Sequence, residues 1–200
     1  MMGRGRESPW IVLVVAGAIG ASFVAGVLGG GPWLRTHAAL HAPGSDGLFR
    51  PWQLLTSAGV HGLPLHLALN VVGLLAFGPR LERALGPVWF AGVLVGSAVA
   101  AALSHLADPQ AAPVLYGASG VVLGVIGAYA VLFGRERVHL FWAFPVPLWL
   151  IFWGLIAAEA VGLVLGVADG VSQAAHVGGA VAGAGLGFLR RHAVPVGPSG

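Results

Sequence analysis

The chain has 200 residues, 57% of them hydrophobic and only 8% charged, and a formal net charge of +3 from ten arginines, no lysine and seven carboxylates. A soluble domain carries about 25% charged residues, so this chain cannot cover a water-facing surface, and its expected solvent is the bilayer. The lack of cysteine excludes disulfides, thiolate nucleophiles and Cys-ligated zinc. The arginines lie scattered between apolar runs, which reads as membrane topology and not as nucleic-acid binding.

Six apolar stretches follow in chain order, at about 10–29, 63–77, 88–106, 118–133, 144–167 and 174–189, and predict an all-α membrane protein. The first could also be read as a cleaved signal peptide behind Arg4 and Arg6. Its apolar run is longer than a signal's and no clear A-x-A site follows, so a retained helix is expected. The segment between the first two stretches holds Trp33, Phe49 and Trp52, which suit an interfacial belt; this outer loop is expected to lie partly in the membrane. The fourth stretch is short for a crossing of about 30 Å, which takes about 20 residues. It is expected to begin below the surface, met by a dipping loop. Residues 1–192 read as one domain, and 193–200 as a disordered tail.

With the N-terminus placed in the cytoplasm, Arg4, Arg6, Arg80, Arg83, Arg135, Arg137, Arg190 and Arg191 fall inside, and only Arg35 and Arg50 fall outside. Asp46, Asp108 and Asp169 then lie on the outer side. The second, fourth and sixth stretches all run from outside to inside. His66 and Asn70 in "HGLPLHLALN", Ser119 in "YGASG" and His176 in "AHVGGAVAG" therefore share the outer half of the membrane. Polar groups at that depth are costly and point to function. His66 and Asn70 are four apart, on one helix face. Gly120, Gly124 and Gly127 form a small-residue stripe after Ser119; Gly179 and Gly183 form another after His176. Two such stripes facing each other let backbones approach closely and would bring the Ser119 hydroxyl within reach of His176, the geometry of an activated nucleophile. The helix start would expose N–H groups toward an oxyanion at Ser119. Glu159, inside the fifth stretch, could carry a proton, touch substrate or hydrogen-bond a neighbouring helix. Asp169 could be a third catalytic member, but it sits in the outer loop on this reading, and a Ser/His dyad is favoured.

These residues resemble the rhomboid family of intramembrane serine proteases. The likeness runs through "FRPWQLLTSAGVHGLPLHLALN", "FGPRLERALG", "YGASG" and "AHVGGAVAG". It implies a six-helix bundle with a wet cavity open to the outer side, Ser119 as nucleophile and His176 as general base. It further implies oxyanion stabilisation by His66, Asn70 and the Ser119 backbone, and a structural role for His61. Gly117, Gly120, Gly179 and Gly183 are expected to be structural near the site. Family substrates are single-pass membrane proteins cut near the outer end of their transmembrane helix, and no metal or cofactor is implied. The implied setting is a multi-pass protein of a bacterial inner membrane with both termini cytoplasmic. Two positions depart from the family pattern: Gln53 stands where an arginine often follows the tryptophan, and Leu123 where some members have an aromatic residue. Competing readings are an inactive rhomboid-like protein that binds transmembrane segments, and a small transporter dependent on Glu159.

Overall fold

The computed structural model describes residues 8–42, 44–45, 47–140, 144–166 and 172–194. The readings of Arg4, Arg6, Asp46, Asp169 and tail residues 195–200 fall outside them. Six helices of fifteen residues or more stand among the described residues: α1 (Trp10–Ala25), α4 (Pro64–Leu85), α5 (Pro87–Ala107), α6 (Ser119–Phe133), α7 (Leu148–Leu165) and α8 (Gln173–Arg190). A π turn, Gly26–Gly30, joins α1 to the short α2 (Gly31–His37), and α3 spans Gln53–Thr56.

Four helical segments are long and apolar enough to cross a membrane: Trp10–His37, Pro64–Leu85, Pro87–Ala107 and Leu148–Leu165. The α6 helix is apolar but has only 15 residues, and α8, which begins at Gln173 and ends at Arg190, is not among the four. Large apolar side chains such as Leu13, Val27, Leu69, Val88, Val164 and Leu189 lie exposed. That surface suits lipid and would be unstable in water. The chain is thus an integral, multi-pass membrane protein.

Three boundaries differ from the expected ones. The first helix does not stop at Gly29. The backbone passes through a positive φ there, +112°, and turns helical again, a path that three consecutive glycines make accessible. The second helix runs eight residues past Phe77, to Leu85, carrying Pro79 in its interior. Its last turns are held from outside: the Glu82 carboxylate, buried, accepts the N–H groups of Ile11 and Val12, both at 2.9 Å. At the other end of the fifth stretch, Phe144–Pro147 is a strand, β4, paired antiparallel with β3 (Arg137–Leu140). Pro145 and Pro147 cannot donate the N–H groups that a helix would require, and α7 starts at Leu148.

The core lies where α6 is enclosed by α4, α5 and α8, with Leu74, Phe90, Val93, Val125, Ala128 and Phe152 buried. The α6–α8 contact is the closest. A Cβ added at Gly179 would strike the Gly120 carbonyl, one at Gly183 the Gly124 carbonyl, and one at Gly127 would come 2.6 Å from the Ala180 carbonyl. Glycine at these sites is a condition of the helix separation.

The segment before α4 is anchored without a charge. Gln53 is fully buried, and its Oε1 accepts the Arg50 N–H at 3.0 Å and the His41 N–H at 3.5 Å. Trp52 Nε1–H donates to the His37 carbonyl at 3.0 Å, and the Thr56 hydroxyl to the Ala38 carbonyl at 2.8 Å. A two-residue strand, β1 (Leu40–His41), pairs with β2 (Val114–Leu115) and ties this segment to the approach to α6. Trp33, Phe49 and Trp52 are all exposed.

Candidate active site

The α6–α8 contact sets the separation of two side chains. Ser119 is the first residue of α6, and His176 lies one turn into α8. Ser119 Oγ stands 2.7 Å from His176 Nε2. Helix α8 starts at a side-chain cap: Ser172 Oγ accepts the Ala175 N–H at 3.2 Å and pairs with His105 Nδ1 at 2.9 Å. That cap anchors the turn carrying His176 to α5.

The other imidazole nitrogen has a partner too. His176 Nδ1 lies 2.9 Å from Glu159 Oε1, on α7. A carboxylate oxygen facing Nδ1 suits a ring proton on that nitrogen. Nε2 is then free to accept from the serine hydroxyl. The expected pair of Ser119 and His176 therefore has a third neighbour, which sequence reading left among several alternatives. An intramembrane carboxylate beside a histidine signal was visible, but nothing along the chain related the two helices' rotation.

His61 joins the second helix to the start of the fourth. Asn70 Nδ2 donates to His61 Nε2 at 3.0 Å, and the Ala118 N–H reaches the same nitrogen at 3.4 Å. Burial, and secondarily the nearby His66, hold the His61 pKa down at about 4, so the ring is neutral and Nε2 can accept. The His66 ring meets that of His61 edge-on, with centroids 5.2 Å apart. It also presses on Gly117, where an added Cβ would fall 2.5 Å from His66 Cε1. Gly117 has φ +120° and donates its N–H to the Ser57 carbonyl at 2.9 Å. Both the conformation and the close approach require glycine there. The loop so held delivers Ser119 at a helix start, where the first N–H groups have no intrahelical acceptor.

The structure thus gathers His61, His66, Asn70, Gly117, Ser119, Gly120 and His176 at one end of the bundle, with Gly179 and Gly183 on the α8 face below. A cavity of about 20 Å³ beside Ser119, lined by Ser57, Leu115, Gly117, Gly120 and Ala175, matches one water. Leu123 is half-buried and packs against the core. Among the described residues, no group of three or more His, Asp or Glu side chains could hold a metal.

Residues 49–193 match the Rhomboid domain family. The chain is 34% identical over 148 residues to "Rhomboid protein 1, mitochondrial" of Saccharomyces cerevisiae, covering 70% of this chain and 42% of that one. It is 30% identical over 139 residues to "Rhomboid protease GlpG" of Haemophilus influenzae, covering 69% of each. With "Rhomboid protease AarA" of Providencia stuartii the identity is 29% over 154 residues, covering 66% of this chain and 53% of that one. The chain spans less than half the length of the yeast relative. With the domain match covering most of its length, and with the arrangement just described, the chain belongs to the rhomboid family.

Proposed function

We propose that the protein is an intramembrane serine endopeptidase that cleaves single-pass membrane proteins in or near their transmembrane helix. The observation that carries this reading is the 2.7 Å contact between Ser119 Oγ and His176 Nε2, at a depth where an unneeded hydroxyl–imidazole pair would be costly. In the proposed reaction Ser119 Oγ attacks the scissile carbonyl carbon while its proton passes to His176 Nε2. The tetrahedral oxyanion is met by the Ser119 backbone N–H, by Asn70 and by His66. The imidazolium then gives its proton to the leaving amine as the C–N bond breaks, and water hydrolyses the acyl-enzyme by the same route in reverse.

The remaining assignments belong to this reading. All six long helices cross the bilayer, α6 and α8 included, with the segment before α4 lying partly in the outer leaflet. The site opens outward in a bacterial inner membrane, with both termini in the cytoplasm. No metal or cofactor takes part. The test is labelling by a fluorophosphonate together with cleavage of a tagged single-pass substrate in proteoliposomes. Both are expected of the wild type and of neither Ser119→Ala nor His176→Ala. Clear cleavage by Ser119→Ala would end the protease reading, and a wild type that neither labels nor cleaves would leave a membrane protein that only binds transmembrane segments.

A further inference from the structure

We propose that Glu159 is a positioning residue that completes a Ser119–His176–Glu159 chain, fixing the tautomer of His176 and stabilising the imidazolium formed during attack. The inference rests on the protease reading of the site. It extends it by assigning a role to the one ionisable side chain of α7.

Three observations converge on this carboxylate. It is the only ionisable group in the eighteen residues Leu148–Leu165, and a charge in such a segment must find a partner to be tolerated. Its partner is the nitrogen of His176 that does not face the serine, at 2.9 Å. Its side chain keeps 28% of its surface exposed, against 12% for His176, so the carboxylate is not sealed inside the bundle. An interhelical tie alone would be served by any polar contact between α7 and α8. This contact falls on the ring atom whose protonation decides whether Nε2 can accept.

The chemistry follows. A neutral imidazole places its one proton on either nitrogen. Without a director, part of the population carries it on Nε2, where it blocks the Ser119 hydroxyl. An acceptor at Nδ1 selects the productive form. When Ser119 Oγ bonds to the carbonyl carbon and its proton moves to Nε2, the ring gains a positive charge facing Glu159. The carboxylate stays unprotonated and stabilises that charge. In a soluble serine protease of unrelated fold, replacing the corresponding carboxylate by an amide costs about 10⁴ in kcat through the wrong tautomer. Glu159 is partly exposed and His176 is also held by its own helix, so a smaller effect follows here.

Glu159→Gln keeps the shape and removes the obligate acceptor. In proteoliposomes it is expected to lower kcat for a tagged single-pass substrate roughly 10- to 100-fold, with KM within about twofold. Glu159→Asp, with the charge withdrawn by one methylene, is expected to fall between the two. A second readout needs no turnover: the ¹⁵N shifts of the His176 ring, measured in the Ser119→Ala background. They should report a proton mainly on Nδ1, and a mixture once Glu159→Gln is added. An unchanged kcat in a folded Glu159→Gln, or a His176 proton mainly on Nε2 with Glu159 intact, would overturn the inference and leave the protease reading standing. Should the wild type not cleave at all, the protease reading falls, and the ring shifts alone decide whether Glu159 directs His176. If Glu159→Gln fails to fold, Glu159→Asp and the shifts with Glu159 intact decide the matter.

Discussion

Asn70 is asked to do two things with one amide. One N–H is committed to His61 Nε2 at 3.0 Å, and the proposed oxyanion role needs the other. Asn70→Ala should therefore cost both stability and rate. The rate loss is expected to be roughly 10- to 100-fold in kcat, below the 10²–10³ seen for a single donor in a soluble protease, because His66 and the Ser119 N–H remain. Kinetics and melting temperature measured on one purified variant separate the roles: a lowered Tm with an unchanged kcat would leave Asn70 only its bond to His61. His61 itself should register in the acid stability. Its pKa is about 4 when folded against an ordinary 6.5, so on acidification the unfolded chain takes up a proton that the folded one refuses. Stability falls as the pH drops from about 6.5 to about 4. Replacing His61 by Gln should flatten that part of the Tm–pH curve relative to wild type, and parallel curves would place the charge-sensitive group elsewhere.

At the scale of elements the central device is a backbone-to-backbone contact. Gly183 approaches the Gly124 carbonyl so closely that no side chain fits between them. Gly183→Val is expected to lower stability by about 1–3 kcal/mol or more and to reduce activity beyond the loss of folded protein, since a displacement of about 1 Å at the reacting groups can cost about a hundredfold. Normal melting and normal turnover would show that α6 and α8 can separate without consequence. This contact was legible in the sequence, because glycines three and four apart mark one helix face in any environment. Ser119 and His176 stood at the heads of those two stripes, so their meeting could be read as well. Glu159 could not be assigned in the same way. It belongs to a third helix without a glycine register to fix its rotation, and two prolines displaced that helix's start to Leu148. The anchoring of the segment before α4 was likewise hidden. Gln53, standing where the family often has an arginine, works there through two backbone N–H groups.

For the whole molecule, the two ends of the bundle differ in kind. One carries Ser119, His61, His66, His176 and the Asn70 amide. The other carries the Arg80–Glu136 ion pair, with the Arg80 guanidinium 4.3 Å above the Phe133 ring, and the end of α8 at Arg190. On the proposed six-span topology eight of the ten arginines are assigned to that second side, and arginine-rich ends stay cytoplasmic. Reporter fusions at the C-terminus are expected to report a cytoplasmic location, and an external one would invert the proposed orientation together with the side to which the proposed site opens. The ion pair itself is half exposed and adds little to stability; Arg80→Ala should change Tm by no more than a few degrees.

The buried Glu82 carboxylate has a consequence in time. The first turn of α1 has no side-chain cap of its own, and the N–H groups of Ile11 and Val12 find their acceptor 71 and 70 residues later in the chain. While the protein is being made, α1 leaves the ribosome long before Glu82 exists. Its opening turn stays dependent on water and headgroups until α4 has been delivered beside it. The start of α1 is thus completed by a later arrival. A nascent chain stopped before residue 82 should show the start of α1 accessible to solvent exchange, and one that extends past α4 should show it protected.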